Sequence, residues 1–406
     1  MPETTNLLDA IDTQPTIDKL EAINTKEAVD TLKRIEGELN IEMIERSDAI
    51  RAILIALITR QHGVFLGPPG TGKSLLVTNL AKRIGQNGKG LKTFVRLITK
   101  TTQPEELFGP VSIAALKNDQ FKRVLTNMLP EAELVFADEV FKGSSAILNT
   151  LLTIMNEREF DNGTDRIIVP LISLFGASNE LPQGDDLNAM WDRLVFRVMV
   201  DYTTEPGFSR LIRTATAPVC NTTLTKPELI AIQDTVRQVS IPSGTYGAIE
   251  TLRKDLKAKG IIVSDRRWKW ATTLLQGQAV LEGRTAVEED DLMILKEALW
   301  SAPEQRSDIG RMAARLANPL NAKAVELSDQ VESAFSAFTE AQNIAANKTE
   351  KMNSAVDTNV KIKDALEKLG RLKEQAEAQS RPTTRIERVI EEVTAKQQQV
   401  CQVILG

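Results

Sequence analysis

Aromatic residues make up only 4% of this 406-residue chain, and histidine occurs once, at His62. The two cysteines, Cys220 and Cys401, stand far apart in sequence. That inventory weighs against a histidine-based zinc centre, a Ser–His–Asp triad and a disulfide framework. No cationic cluster flanks either cysteine, so both read as inert, reduced thiols of a cytoplasmic protein. Long apolar runs are missing too. Ala52 to Ile58 and Ile167 to Ala177 fall short of the roughly 20 residues that span a bilayer. The first sixteen residues are acidic and polar and lack the pattern of an export signal. Nor is there a surplus of one charge: 50 basic and 55 acidic residues leave a net charge of −5. A nucleic-acid binder usually carries a basic surplus or block, so neither a nucleic-acid nor a membrane partner is signalled.

What is present is a soluble-protein composition, 42% apolar and 26% charged, with length for two or three domains. Residues 1–16 read as a mobile segment. Ile17, Leu20, Ile23, Ala28, Leu32 and Ile35 then recur at helical spacing, and a second helix is expected over 45–60. From Gly63 short apolar runs alternate with helices, at 64–66, 94–98, 134–137, 171–177 and 195–200. That alternation predicts an α/β unit over 17–222 with a parallel sheet covered on both faces. Two excursions interrupt it. One is a hairpin with Asn162-Gly163 at its tip; the other runs from Gly109 to Val124. Residues 223–306 read as all-α, and 307–406 as two or three long helices in a hairpin or coiled coil.

The chemistry centres on Gly67-Pro68-Pro69-Gly70-Thr71-Gly72-Lys73-Ser74, a phosphate-loop pattern between a predicted strand and a helix. Its glycines let backbone N–H groups close around phosphates, Lys73 reaches the β- and γ-phosphates, and Ser74 ligates Mg²⁺. Leu134 to Ala137 form a buried strand that delivers Asp138 and Glu139 at its carboxyl end, where open α/β sheets bind ligands. Asp138 is expected to hold Mg²⁺ and Glu139 to activate water. Asn179 ends the fourth strand, where an amide serves either as a turn former or as a partner of the attacking water. Arg193 and Arg197 follow, each either a solvated charge or an arginine offered to a neighbour's γ-phosphate. His62 is expected at the surface or between strands.

These motifs, with Glu45-Arg46-Ser47, Thr102 to Pro110, Leu129 to Glu133, Ala146 to Leu152, Asn156 to Arg158, Ala177 to Pro182, Asp192-Arg193 and Ser264 to Trp268, resemble the MoxR family of AAA+ ATPases, and within it the RavA group. The resemblance covers about Ile17 to Arg306. It implies a P-loop core with a helix-2 insertion and a presensor hairpin, an all-α lid over 223–306, and ATP and Mg²⁺ as ligands. It also places Asn179 at sensor 1, Arg193 at the arginine finger and Arg266 at the sensor-2 arginine, with Arg197 and Arg267 as alternatives. Family members form hexameric rings and often work with a partner carrying a von Willebrand factor A domain, remodelling or assembling protein complexes. On that pattern, hydrolysis moves the lid and hairpins relative to the core. The RavA-type β-rich insertion has no counterpart here, because the sequence after Pro319 is helical in pattern. Two other functions remain open from sequence: a nucleic-acid motor, and a scaffold that binds nucleotide without turning it over.

Overall fold

The structure, a computed structural model, describes residues 24–86, 89–182, 184–213, 222–317, 319–344, 348–378 and 383–405. The predicted helical positions Ile17, Leu20 and Ile23, the mobile segment 1–16 and Cys220 lie outside these residues.

Two helices open the chain, α1 (Thr25–Glu42) and α2 (Ser47–Thr59). Asn24 caps α1 by accepting the Glu27 N–H, and α2 is buried along most of its length. The α/β unit follows: β1 (Gly63–Leu66), α3 (Lys73–Lys82), β2 (Thr93–Leu97), β3 (Leu134–Asp138) and α4 (Ser145–Glu157). A hairpin of β4 (Glu159–Asn162) and β5 (Asp165–Ile168) leads into β6 (Ser173–Ser178), α5 (Asp185–Arg193) and β7 (Phe196–Met199). The five sheet strands are parallel, in the order β2-β3-β6-β1-β7. β1 and β6 are buried throughout, and β3 is buried up to its final residue. This is why they read as continuous apolar runs rather than as alternation. The register sets Leu66 opposite Ser178 and Leu97 opposite Asp138. The carboxyl ends of β1, β6 and β3 therefore lie side by side.

The lid comprises α6 (Lys226–Gln238), α7 (Ser243–Ala258), α8 (Asp265–Leu281), a 3-10 segment (Glu289–Glu297) and α9 (Pro303–Ala317). Thr225 and Glu228 close a capping box at the start of α6. One hydrophobic core runs from Ala28 through the sheet to Ala317, so lid and sheet are packed as a single body. A second, smaller core from Leu320 to Val400 holds α10 (Pro319–Ile344), α11 (Lys348–Ala378) and α12 (Thr384–Leu405) as a three-helix bundle.

The hairpin differs from the sequence expectation by one residue. Asn162 belongs to β4 and is buried, and the two-residue turn is Gly163-Thr164, with Gly163 at φ +74°. A glycine with positive φ in the first central position is the primed-turn solution that suits the twist of paired strands.

Candidate nucleotide site

Gly67 leaves β1 with φ +146°, and its N–H donates to Ser178 O at 3.1 Å. A Cβ there would lie 2.0 Å from Val200 O, so only glycine fits. Gly72 precedes α3 in a left-handed conformation, and Lys73 and Ser74 open the helix. Their N–H groups have no partner within the helix, and the helix dipole adds positive potential at the same point. The Lys73 ammonium donates to Gly67 O and Pro68 O, both at 2.7 Å, folding the side chain over the cup of the loop. Burial draws its pKa below the usual lysine range, and the nearby carboxylates of Asp138 and Glu139 offset part of that. The structure thus brings the loop lysine and the two acidic residues into one electrostatic site.

Asp138 ends β3 and accepts the Glu139 N–H at Oδ1, 3.1 Å away. Glu139 has φ +53°, a conformation that non-glycine residues adopt rarely and mostly under functional constraint. Its Oε2 is shielded from solvent and accepts no aligned hydrogen bond, although Lys142 Nζ lies 3.2 Å away as an ion pair. A shielded carboxylate oxygen short of donors fits a group waiting for a ligand or a water. Asn179, exposed, follows Ser178 at the end of β6, one strand from each half of the site. The Ser178 hydroxyl fixes that corner, donating to Glu180 O (2.7 Å) and accepting the Glu180 N–H (3.1 Å).

Beside the loop opens a cavity of about 490 Å³ lined by Gly72, Met43, Ile44, Tyr202 and Phe208. Arg46 ties its wall to the loop, donating to Thr71 O at 3.1 Å and to Asp201 O at 2.8 Å. Glu45 accepts the Thr204 N–H at 2.8 Å and so anchors the segment that carries Tyr202 and Phe208. Sequence reasoning did not find this apolar wall, because its residues come from segments about 160 positions apart. The signal available was the Glu45-Arg46-Ser47 string.

Arg193 and Arg266 lie elsewhere. Arg193 ends α5 and donates to Asn156 Oδ1 and Ala189 O, both at 2.8 Å. Arg266, in the first turn of α8, lies 3.7 Å from Asp192 and near the Trp270 ring. The two guanidiniums are close enough that Arg266, after burial, is the next influence lowering the pKa of Arg193. Neither lines the cavity beside the loop. The alternatives Arg197 and Arg267 are corrected by the structure. Arg197 is fully buried over the Trp191 ring and donates to the carbonyls of Leu194, Trp191 and Trp300. Arg267, also buried, donates to Ala298 O and Trp300 O. The Arg197 guanidinium joins sheet to lid, and that of Arg267 ties α8 to the end of the 3-10 segment within the lid.

Of the two positions expected for His62, the structure takes the interstrand one: it is buried, and its carbonyl accepts the Val195 and Phe196 N–H groups. The Leu174 N–H donates to its Nδ1 (2.9 Å), and its Nε2 lies 3.1 Å from Met155 O and 2.7 Å from the Arg158 guanidinium. Burial first, and then the Arg158 charge, push its pKa well below the usual histidine range.

The profile for the MoxR domain of MoxR–vWA–β-propeller ternary systems matches residues 30–239. The chain belongs to the MoxR family of AAA+ ATPases. A profile for an AAA lid domain matches residues 245–313, over α7 to α9. Two uncharacterised proteins of Methanocaldococcus jannaschii are similar. One is 41% identical over 65% of this chain and 68% of its own length, the other 38% over 73% and 78%. Chaperone MoxR1 of Mycobacterium tuberculosis is 24% identical over 47% of this chain and half of its own. A crystal structure from Cytophaga hutchinsonii, described as a proposed ATPase, matches 75% of this chain and 98% of that one at TM-score 0.58 and 18% identity, a likeness of fold. Within the MoxR fold, the Gly109–Val124 excursion is the helix-2 insertion and β4–β5 the presensor hairpin. Among the described residues, no helix is long and apolar enough to cross a membrane.

Proposed function

We propose that this MoxR-family protein hydrolyses MgATP at the interface between neighbouring subunits of a ring, and acts as an assembly that remodels or assembles partner proteins. The observation that carries this reading is the meeting of Lys73, on the helix that follows β1, with Asp138 and Glu139 at the end of β3, the two strands flanking β6 in the parallel sheet. The α3 N-terminus and Lys73 fit the phosphates, and the Met43–Phe208 cavity fits the base. Among the described residues no cluster of three or more metal-ligating side chains occurs. Mg²⁺ would therefore rest on Ser74, Asp138, phosphate oxygens and water, the arrangement this small cation favours. Glu139 accepts the proton of the attacking water, and Asn179 orients that water.

Arg193 and Arg266 sit together near Asp192, away from their own loop's cavity, which supports a role at a neighbouring subunit's site. A ring of six satisfies every interface. The matching profile is named for systems that pair MoxR with a vWA protein, which supports a vWA-domain partner here and a protein client. The same reading sets the protein in the cytoplasm.

The test is steady-state ATP hydrolysis by the wild type and Glu139→Gln, with mass measured in ATP. Turnover in the wild type, none in the variant, and accumulation of the variant as a ring are expected. ATP binding without hydrolysis by either protein, with and without a vWA partner, would replace the motor by a nucleotide-gated scaffold.

A further inference from the structure

The insertion and the presensor hairpin are separate in sequence, yet they meet through a specific joint. At its base Phe108, which precedes the insertion, stacks on Phe160 of β4 with ring centroids 5.6 Å apart, both side chains buried. Farther out, the buried Asn162 side chain treats Arg123 as a strand partner. Its Oδ1 accepts the Arg123 N–H at 2.6 Å and its Nδ2 donates to Arg123 O at 3.3 Å. Lys122 pairs with Asp165 at 2.7 Å across the same seam. Gly163 leaves room for the approach, since a Cβ there would stand 1.8 Å from Phe121 O.

Within the insertion, one short helix, Ile113–Leu116, is capped by the Ser112 hydroxyl. One antiparallel bridge, Val111 to Arg123, and two backbone bonds, Ser112 N–H to Lys122 O and Val124 N–H to Pro110 O, close it. Its side chains Ile113 and Phe121 are exposed, so it buries little apolar surface of its own. Such a segment takes its order from what it is tied to. The hairpin, by contrast, is the continuation of the nucleotide site. It is reached from Asp138 and Glu139 through α4 and leads back through β6 to Ser178 and Asn179.

We infer that Asn162 is a positioning residue that makes the insertion follow the hairpin, so that both respond to nucleotide as one arm. This rests on the proposed nucleotide reading only for the source of the motion; the joint itself does not depend on it. Removing the Asn162 amide strands a backbone donor and acceptor at Arg123, and lifts the buried tie between hairpin and insertion, leaving the exposed Lys122–Asp165 pair.

The test is amide hydrogen exchange on the full-length protein, with Asn162→Ala and Asn162→Asp. Without nucleotide, exchange at the Arg123 amide and across 110–124 should rise about tenfold in Asn162→Ala, the scale of one lost net hydrogen bond, while β3 stays protected. Asn162→Asp keeps the acceptor and should fall between, and it carries the test should the alanine variant not fold. Unchanged exchange across 110–124 in both variants overturns the inference, whether or not the protein turns over ATP. In the Glu139→Gln background, moving from ADP to ATP should change exchange in both 110–124 and 159–168. With Asn162→Ala added, only 159–168 should respond. An insertion that still responds as before would show that it is driven by another route. A wild type that binds no nucleotide would instead sink the functional reading, and leave the first comparison standing.

Discussion

Arg193→Ala should abolish turnover in a pure protein and regain it in a mixture. The side chain is anchored to Asn156 and Ala189, on the far side of its subunit's nucleotide cavity, with Arg266 beside it. An arginine delivered in trans to a γ-phosphate is worth about 10³–10⁵ in rate, so the lone variant should sit at background while still binding ATP. Lys73→Ala should also be inactive, because it loses the phosphate contact. The two defects are complementary. In a ring assembled at random from equal amounts of both, about a quarter of the interfaces pair an intact loop with an intact arginine. Mixing the subunits before adding ATP should therefore restore about a quarter of wild-type turnover, as read by phosphate release against mixing ratio. Arg266→Ala mixed with Lys73→Ala should behave the same way, since the two arginines share an edge. A mixture as inactive as its parents, from subunits shown by mass to co-assemble, would mean that each arginine serves its own site.

Two further outcomes follow from the buried charges. Arg197→Ala leaves three carbonyls and a tryptophan face without a partner in the core, and should cost about 3–5 kcal/mol. Thermal melts should show a fall of about 10 °C; a shift within about 2 °C would refute the structural role. His62 has a folded-state pKa well below the usual 6.5, so the unfolded chain takes up a proton that the folded one refuses. The stability it contributes is complete above about pH 6.5 and is lost as pH falls below it, by up to about 1.4 kcal/mol per pH unit. Denaturant melts from pH 7.5 down to 5.5 should show a steeper loss for wild type than for His62→Gln, and parallel curves would refute the assignment.

The sheet and the phosphate loop were legible in sequence because each obeys a local rule. β1, β3 and β6 are buried on both faces and read as plain apolar runs, and the loop's glycines, lysine and serine stand at fixed spacing between a strand and a helix. The acidic pair was legible for the same reason, at the end of such a run. What failed depended on packing across distance. Residue type predicts that an arginine is exposed, and only the fold shows that Arg197 is spent inside the sheet–lid joint and Arg267 inside the lid, while Arg193 and Arg266 stay outside the core. The choice between surface and strand interior for His62 was open for the same reason: its partners at Leu174 and Met155 lie about a hundred residues away. The hairpin slipped by one residue because Asn-Gly is the usual local signal for the turn, whereas here Asn162 is occupied with Arg123.

That sheet–lid joint bears on how a nucleotide signal can travel. Sheet and lid share one core, and the polar ties across it are buried: Arg197 to Trp300 and Gln233 to Leu57. Around the rim, Arg306 and Lys296 reach Asp48 at the start of α2, and Ser264 binds Asp192 beside the arginine pair. Moving such a lid against its own sheet would break the core that holds Trp300 and leave these groups unpaired, a cost of several kcal/mol before any work is done. A hinge within the subunit is therefore the expensive route. On the proposed reading, Arg193 and Arg266 would sense a neighbour's γ-phosphate as parts of one packed sheet–lid body. Hydrolysis at one interface would then shift one such body against the next, and the motion within a subunit would fall to the hairpin between Glu139 and Asn179, with the insertion clasped to it.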